Sequence, residues 1–442
     1  MEHPLLILIV LILVSDFLLD RLMDYLNAQR WSPVLPEALH GITDAETYRR
    51  SQEYARRNRR LRALSAGLSF LLVLALLLSG GFGWLDAWVR QHTVQPVLQA
   101  ILFFGILGLA SDLLSTPFQV YATFVIEESF GFNRTSPATF LADKFKGWLL
   151  ALLIGGALLA LFVWFYQVAG PLFWLYAWIA FTGFSLFMSL FYSSLIVPLF
   201  NRQTPLEEGE LRTAIQEFAD KTGFRLADIY VIDGSKRSTK ANAYFSGLGP
   251  KKRIVLFDTL IRDHSTEELV AILAHEIGHY KHKHLLRGML LSIAQGGILF
   301  FLLGMVINRP GLSLALGGTE QSFHLGLLGF ALLYAPLSLV LGMAANYLSR
   351  KYEYQADAFA ARHHAPGPLM EALKKLSVKH LSNLHPHPAY VFLHYSHPPL
   401  LQRLEHLSRF FLTGPGPVAG RLEDLRQTAG RDANPPNDIP LP

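Results

Sequence analysis

The sequence predicts an all-α membrane protein with seven transmembrane helices and a small α+β domain outside the bilayer. Only 17% of its 442 residues are charged, whereas charged residues make up about a quarter of a soluble protein. Hydrophobic residues account for 51% of the chain and are clustered in long runs. These observations exclude a disordered protein, a coiled coil and an ordinary cytosolic globule.

Seven apolar segments reach the roughly 20 residues that a helix needs to cross a bilayer. They cover residues 4–22, 63–85, 97–118, 148–170, 171–200, 285–307 and 323–347. No basic stretch precedes the first segment, so we interpret it as a retained span and not a signal peptide. Asp16, Asp20 and Asp112 fall inside spans, where we expect them to face away from lipid.

Basic residues predict the orientation of these spans. The first and third connections together hold eleven Lys and Arg residues, whereas the second, fourth and sixth hold two. Short cytoplasmic loops are enriched in Lys and Arg, so the odd connections and the tail are expected to be cytoplasmic. We attribute the net charge of +5 to this topology and expect no nucleic-acid partner. The absence of cysteine excludes thiolate metal sites and a cysteine nucleophile.

The expected organisation has five parts. Residues 1–200 form five N-terminal spans, and 285–347 form the sixth and seventh. Residues 201–284 read as a cytoplasmic α+β unit, with a helix over 205–223 and strands over 228–233, 242–247 and 253–258. Ser265 and Glu268 predict a capped helix that continues past His284. Residues 348–411 are expected to be helical, and 412–442 a disordered tail.

The sharpest chemical signal is the sequence His275-Glu276-Ile277-Gly278-His279. On a helix, positions i and i+4 share a face, so both imidazoles can bind one zinc ion. Glu276 then lies beside the metal, where it can accept a proton from the attacking water. The motif predicts a zinc-dependent hydrolase with Glu276 as its base.

A catalytic zinc needs a third protein ligand and an open fourth position. Glu353 is a candidate because it follows the seventh span on the same predicted side as His275. Asp357 lies one helical turn later and can hold the free N–H of a ligand imidazole. A solvated helix start beside Arg350 and Lys351 explains the same residues equally well. The residues alone leave both interpretations open.

Other histidines lie near the motif and in the C-terminal part of the chain. His282 and His284 follow the motif in a basic stretch at the membrane edge, and we interpret them as interfacial residues rather than ligands. His397 precedes two prolines and Arg403. A hydrogen-bonding or cationic group near zinc can stabilise the oxyanion of a peptide carbonyl, which makes both residues catalytic candidates.

Several separate motifs resemble the integral-membrane zinc CAAX prenyl endopeptidases, also called type I CAAX proteases. The similarity covers roughly residues 117–407. It includes segments 117–133 and 234–245, the motif at 275–279, residues 350–357, and Ser396-His397-Pro398-Pro399 with Arg403. The short loops and the tail are interpreted as those of a bacterial member, which would place the chain in the inner membrane, or in the endoplasmic reticulum if it is eukaryotic.

The resemblance implies a role for each matching residue. It implies that His275, His279 and Glu353 bind one zinc ion, that Glu276 is the catalytic base and that Asp357 supports a ligand. It also implies that Asn242, Ala243 and Tyr244 form a strand edge that pairs with the substrate backbone, and that His397 and Arg403 lie near the scissile carbonyl. The implied fold is a zincin-like cytoplasmic domain on seven helices that enclose a chamber.

The expected partners are the lipid bilayer and a peptide or protein substrate that is prenylated or attached to the membrane. Two alternatives remain. The first is a quality-control zinc protease without prenyl specificity, although such enzymes have about half as many spans. The second is a catalytically dead scaffold or transporter, which the presence of Glu276 disfavours.

Overall fold

The computed structural model describes residues 4–32, 34–224, 226, 228–246 and 253–413. The predicted tail beyond residue 413 lies outside the described residues. The N-terminal half contains α1 (Pro4–Gln29), α2 (Ala45–Leu78), α3 (Gly81–His92), α4 (Pro96–Tyr121), α5 (Pro137–Leu150), α6 (Gly156–Val168) and α7 (Phe173–Leu195). The C-terminal half contains α8 (Glu210–Lys221), α9 (Asp258–Asp263), α10 (Thr266–Lys281), α11 (His284–Val306), α12 (Pro310–Ala315), α13 (Phe323–His363), α14 (Pro366–Lys379), α15 (Pro388–His394) and α16 (Leu400–Thr413).

Six helical segments in the described part of the chain are long and apolar enough to cross a membrane. They are Ala45–Leu78, Pro96–Glu127, Pro137–Val168, Gly170–Leu199, His284–Val306 and Phe323–His363. The predicted first span corresponds to α1, a continuous helix of 26 residues whose apolar sequence is interrupted by the charged residues Asp16, Asp20 and Arg21. The membrane architecture is confirmed, and the predicted number of seven is approximate because of α1.

Two membrane helices differ in their bounds from the prediction. Helix α2 begins 18 residues before the predicted span and ends at Leu78, and Gly80, with a positive φ of 69°, separates it from α3. Helix α13 does not stop with its apolar run but continues as a single 41-residue helix to His363. A rigid helix therefore joins the seventh span directly to Glu353 and Asp357.

A four-stranded sheet forms the centre of the domain between the fifth and sixth spans. Its strands are β1 (Gln203–Pro205), β2 (Asp228–Ile232), β3 (Ala243–Ser246) and β4 (Arg253–Phe257), in the order β1-β2-β4-β3. Strands β2 and β4 are parallel, and β3 pairs antiparallel with β4. The three strands predicted from the sequence are therefore present, and β3 lies at an edge of the sheet.

The predicted helix that carries the histidine motif is also present, but it ends early. Ser265 and Glu268 form a reciprocal capping box at the start of α10. We expected this helix to continue past His284, and that expectation is wrong. Helix α10 ends at Lys281, Lys283 adopts a positive φ of 57°, and a separate helix, α11, begins at His284. A left-handed lysine cannot continue a right-handed helix.

Close contact between α10 and α13 brings the two halves of the site together. A Cβ atom at Gly278 would lie 3.0 Å from both Ala356 Cα and Phe359 Cβ, so only glycine lets the helices approach this closely. Buried Leu273, Ala274 and Ile277 pack α10 into the core of the domain. The opposite face of α10 directs its histidines toward Glu353.

Candidate metal centre and active site

Three side chains from two helices converge on one point. His275 Nε2 and His279 Nε2 lie 3.1 Å apart on adjacent turns of α10. Glu353 of α13 places Oε1 3.2 Å from His279 Nε2 and Oε2 3.4 Å from His275 Nε2. The structure thus brings together the three residues expected to hold a metal.

The spacing and the chemistry of these atoms fit a zinc ion. Ligands placed about 2.0–2.1 Å from a tetrahedral zinc are about 3.3–3.4 Å from one another, close to the separations observed here. Glu353 is buried, and its Oε2 atom accepts no hydrogen bond from the described residues. Arg403 Nη1 and His275 Nε2 approach this oxygen only to 3.4 Å. A buried carboxylate oxygen without a hydrogen bond is costly, so the site is suited to a divalent metal.

Asp357 and Arg403 form hydrogen bonds that orient the metal-binding His275. Asp357 is fully buried, and its Oδ1 accepts a hydrogen bond of 2.8 Å from His275 Nδ1. Arg403 donates to both oxygens of Asp357, from Nε at 2.9 Å and from Nη2 at 2.6 Å. This bidentate pair fixes the carboxylate, which in turn directs His275 Nε2 toward the metal position.

The two carboxylates also make the site attractive to positive charge. Burial alone would lower the pKa of the His275 imidazole, but its hydrogen bond with Asp357 and the nearby Glu353 carboxylate raise that pKa to about 9. Because a shift of this size reflects strong attraction for a cation at the imidazole, the same carboxylates favour a bound metal ion.

Glu276, His397 and Arg403 line the same cavity as the metal-binding residues. The cavity has a volume of about 610 Å³. His397 is the most exposed, at 64%, and its Nε2 lies 3.3 Å from Glu353 Oε1. Arg403 is buried, with its charge directed at Asp357 and with Nη1 3.4 Å from Glu353 Oε2. Of the two residues expected near a carbonyl, His397 is the more accessible.

The edge strand β3 forms one wall of the same cavity. Asn242, Ala243 and Tyr244 line it, and among the described residues β3 pairs with β4 alone. The Tyr244 hydroxyl lies 3.4 Å from Ser193 Oγ of α7, which ties the strand to the membrane helices. The residues expected to bind substrate are therefore adjacent to the metal-binding residues.

The segment before β3 is held by the N-terminal membrane domain. Lys240 Nζ donates to the Tyr54 hydroxyl at 2.8 Å and to Glu127 Oε1 at 3.2 Å. It also lies over the Phe132 ring, 4.4 Å from its centroid. The backbone N–H of Ala241 donates to His380 Nε2 at 2.9 Å. These contacts fix the position of the strand, and they could not be predicted from the sequence because their partners are distant along the chain.

His284 is not the interfacial residue that we expected. It is 95% buried, and its ring contacts His279 and Gln355. His282, by contrast, is exposed, as expected. On an unbroken helix His284 would point away from His279, so only the break at Lys283 explains this contact.

Comparison with known proteins supports the family resemblance. Residues 24–202 match the family described as the CAAX prenyl protease N-terminal domain, with five membrane helices. Residues 205–410 match peptidase family M48. The two matches meet at the start of the sheet and together cover the six membrane-length helical segments and every residue of the candidate site.

The chain is also similar to known proteins over most of their length. The chain is 34% identical to CAAX prenyl protease 1 of Saccharomyces cerevisiae over 421 residues, which covers 89% of this chain and 93% of the relative. It is 32% identical to the human CAAX prenyl protease 1 homolog, covering 84% and 88%. The crystal structure of S. mikatae Ste24p superposes with a TM-score of 0.87 at 32% identity, covering 91% of this chain and 99% of that one.

Proposed function

Because the chain belongs to the M48 peptidases and carries the N-terminal membrane domain of CAAX prenyl proteases, we propose that it removes C-terminal tripeptides from prenylated substrates with one zinc ion. It is an integral, multi-pass membrane metallopeptidase that acts on peptide or protein substrates. The observation that carries the proposal is the convergence of His275, His279 and Glu353 to within 3.1–3.4 Å beside Glu276.

His275, His279 and Glu353 would hold the metal in this proposal. When bound there, zinc polarises a peptide carbonyl and lowers the pKa of water enough for attack at neutral pH. Glu276 accepts the proton of the attacking water and passes it to the leaving amine. His397, exposed at the rim, donates a hydrogen bond to the carbonyl oxygen as negative charge develops there. Arg403 acts as a positioning residue, because it holds Asp357.

The strand β3 would align the substrate. An extended peptide adds to the open edge of a sheet through main-chain hydrogen bonds, which are independent of its side chains. Asn242, Ala243 and Tyr244 provide such an edge next to Glu276. A substrate strand placed there carries its scissile bond past the metal and leaves its prenylated cysteine close to the membrane helices.

We further propose that the catalytic domain faces the cytoplasm, since the basic short loops lie on its side of the membrane. In a bacterial cell the protein would occupy the inner membrane, and in a eukaryotic cell the endoplasmic reticulum. The five-part division of the chain predicted above remains our proposal for its domains, with α13 shared by the last span and the active site.

Cleavage of a farnesylated CAAX peptide and its unprenylated twin by detergent-purified protein tests the substrate. We expect mass spectrometry to show release of an intact tripeptide from the farnesylated peptide alone, and no release after zinc chelation. Equal cleavage of both peptides would retain the metallopeptidase and contradict prenyl selectivity, in favour of a quality-control role. Cleavage of neither by zinc-containing protein would contradict the CAAX reaction itself.

The contacts of Lys240 predict an effect on substrate binding. Lys240→Met removes a charge-assisted hydrogen bond worth about 1.5 kcal/mol, so the strand that aligns the substrate loses part of its support. We expect KM for the farnesylated peptide to rise roughly tenfold with a smaller change in kcat. Lys236→Met is the matched control, because Lys236 is exposed and four residues earlier. Equal kinetics for the two variants would contradict this role of Lys240.

A further inference from the structure

The buried imidazole of His284 contacts the metal-binding His279 and has no part in the mechanism above. His284 is only 5% exposed. Its Nδ1 lies 3.0 Å from His279 Nδ1, and its Nε2 lies 2.8 Å from Gln355 Oε1. The Tyr352 ring stacks on it at a centroid distance of 4.2 Å and an interplanar angle of 10°. The His284 ring is thus fixed in both position and orientation.

The backbone is bent in a way that creates this contact. Five residues of an unbroken α-helix rotate by about 500°, which places positions 279 and 284 on nearly opposite faces. The left-handed Lys283, with φ of 57°, ends α10 and turns His284 back toward His279. A left-handed non-glycine residue is strained, and such strain persists where the surrounding structure enforces it.

The hydrogen bonds define where the protons are. A carboxamide oxygen can only accept, so Gln355 Oε1 requires a proton on His284 Nε2. Neutral His284 then offers the lone pair of Nδ1, which accepts from the Nδ1–H of His279. His279 consequently keeps its Nε2 lone pair free, and that atom is the one facing His275 Nε2 and Glu353. If the Gln355 amide were turned round, its NH₂ would donate to His284 Nε2 and His284 Nδ1–H would donate to His279 Nδ1. His279 would then carry its proton on Nε2, where the metal site requires a lone pair.

We propose that Gln355 and His284 form a positioning relay that fixes the tautomer and ring orientation of His279 for metal binding. The inference rests on the proposed metal site and deepens it. Asp357 provides the corresponding support for His275, so the two imidazole ligands are held by different chemistry. The Asp357 carboxylate orients His275, whereas the neutral side chains of His284 and Gln355 orient His279. The neutral side chains of His284 and Gln355 add no negative charge near Glu353, so a metal held there would keep more of its positive charge.

Zinc affinity of the full-length protein in detergent, measured by competition with a chelator, tests the relay without an activity assay. His284→Leu removes the acceptor for His279 Nδ1–H, and loss of such a partner weakens metal binding roughly 10–100-fold. His284→Asn places an amide oxygen near the former Nδ1 position, so we expect it to recover most of that loss. His282→Ala is the matched control, because His282 is exposed and stacks on His284 without a hydrogen bond to His279.

The outcomes separate this inference from the proposed function. Zinc binding that is as tight in folded His284→Leu as in the parent would overturn the relay, as would equal weakening in the Leu and Asn variants. If His284→Leu does not fold, Gln355→Leu provides the second test, and it should also weaken zinc binding. If the parent binds zinc and cleaves peptide, and the variants bind zinc as tightly as the parent, the relay alone is contradicted. A parent that binds no zinc would contradict both proposals.

Discussion

Replacing Glu276 by glutamine is expected to lower the rate of peptide cleavage by roughly 10²–10⁴-fold while zinc remains bound. Glu276 lines the cavity beside the metal-binding residues but is not among the three side chains whose donor atoms converge. The amide keeps the size of the side chain and cannot accept the proton of water at neutral pH. The measurement is the cleavage rate of the farnesylated peptide, with zinc content determined on the same sample.

Glu267→Gln is the matched control for this variant. Glu267 lies in the first turn of the same helix and is exposed, so it loses the same charge nine residues from the site. We expect its activity to match the parent. If zinc-containing Glu276→Gln keeps more than about a tenth of the parental rate, Glu276 is not the general base.

Replacing Asp357 by alanine is expected to destabilise the protein by about 3–5 kcal/mol, because it leaves the Arg403 guanidinium buried without its partner. Asp357 is fully buried and receives hydrogen bonds from His275 and from two Arg403 nitrogens. The melting temperature should fall by roughly 3–5 °C. Zinc affinity should fall as well, since His275 loses the acceptor that orients its ring.

A double variant isolates the contribution of the buried charge. Asp357→Ala combined with Arg403→Met removes both partners, and such paired replacement is often nearly neutral for stability. We expect the double variant to melt well above the Asp357→Ala variant while its zinc affinity remains weak. A single variant that melts within a degree of the parent would contradict the assignment of Asp357 and Arg403 as a structural pair.

The sequence predicted the parts of the site that depend on local spacing. His275 and His279 are four residues apart, so helical periodicity alone placed them on one face. Glu353 was different, because nothing in local spacing relates a residue on α13 to one on α10. Its assignment as a ligand came from the family resemblance, and the structure brings it to within 3.4 Å of both histidines.

The parts that could not be predicted depend on tertiary structure. His284 contacts His279 only because Lys283 is left-handed, and lysine gives no sequence signal for that conformation. The Tyr54–Lys240 contact joins residues 186 positions apart. Arg403 was expected beside a carbonyl, and its burial against Asp357 depends on how α16 packs on α13. Apolar periodicity likewise gave no reason for α13 to continue beyond its membrane segment.

Titration of metal-free protein with zinc, followed by peptide cleavage, tests the central claim most directly. The proposed site predicts that metal-free protein is inactive and that activity rises linearly to a limit at one zinc ion per chain. Glu353→Gln should show no such rise at the same zinc concentrations. Activity in the metal-free protein, or full zinc-dependent activity in Glu353→Gln, would contradict a reaction that depends on His275, His279 and Glu353.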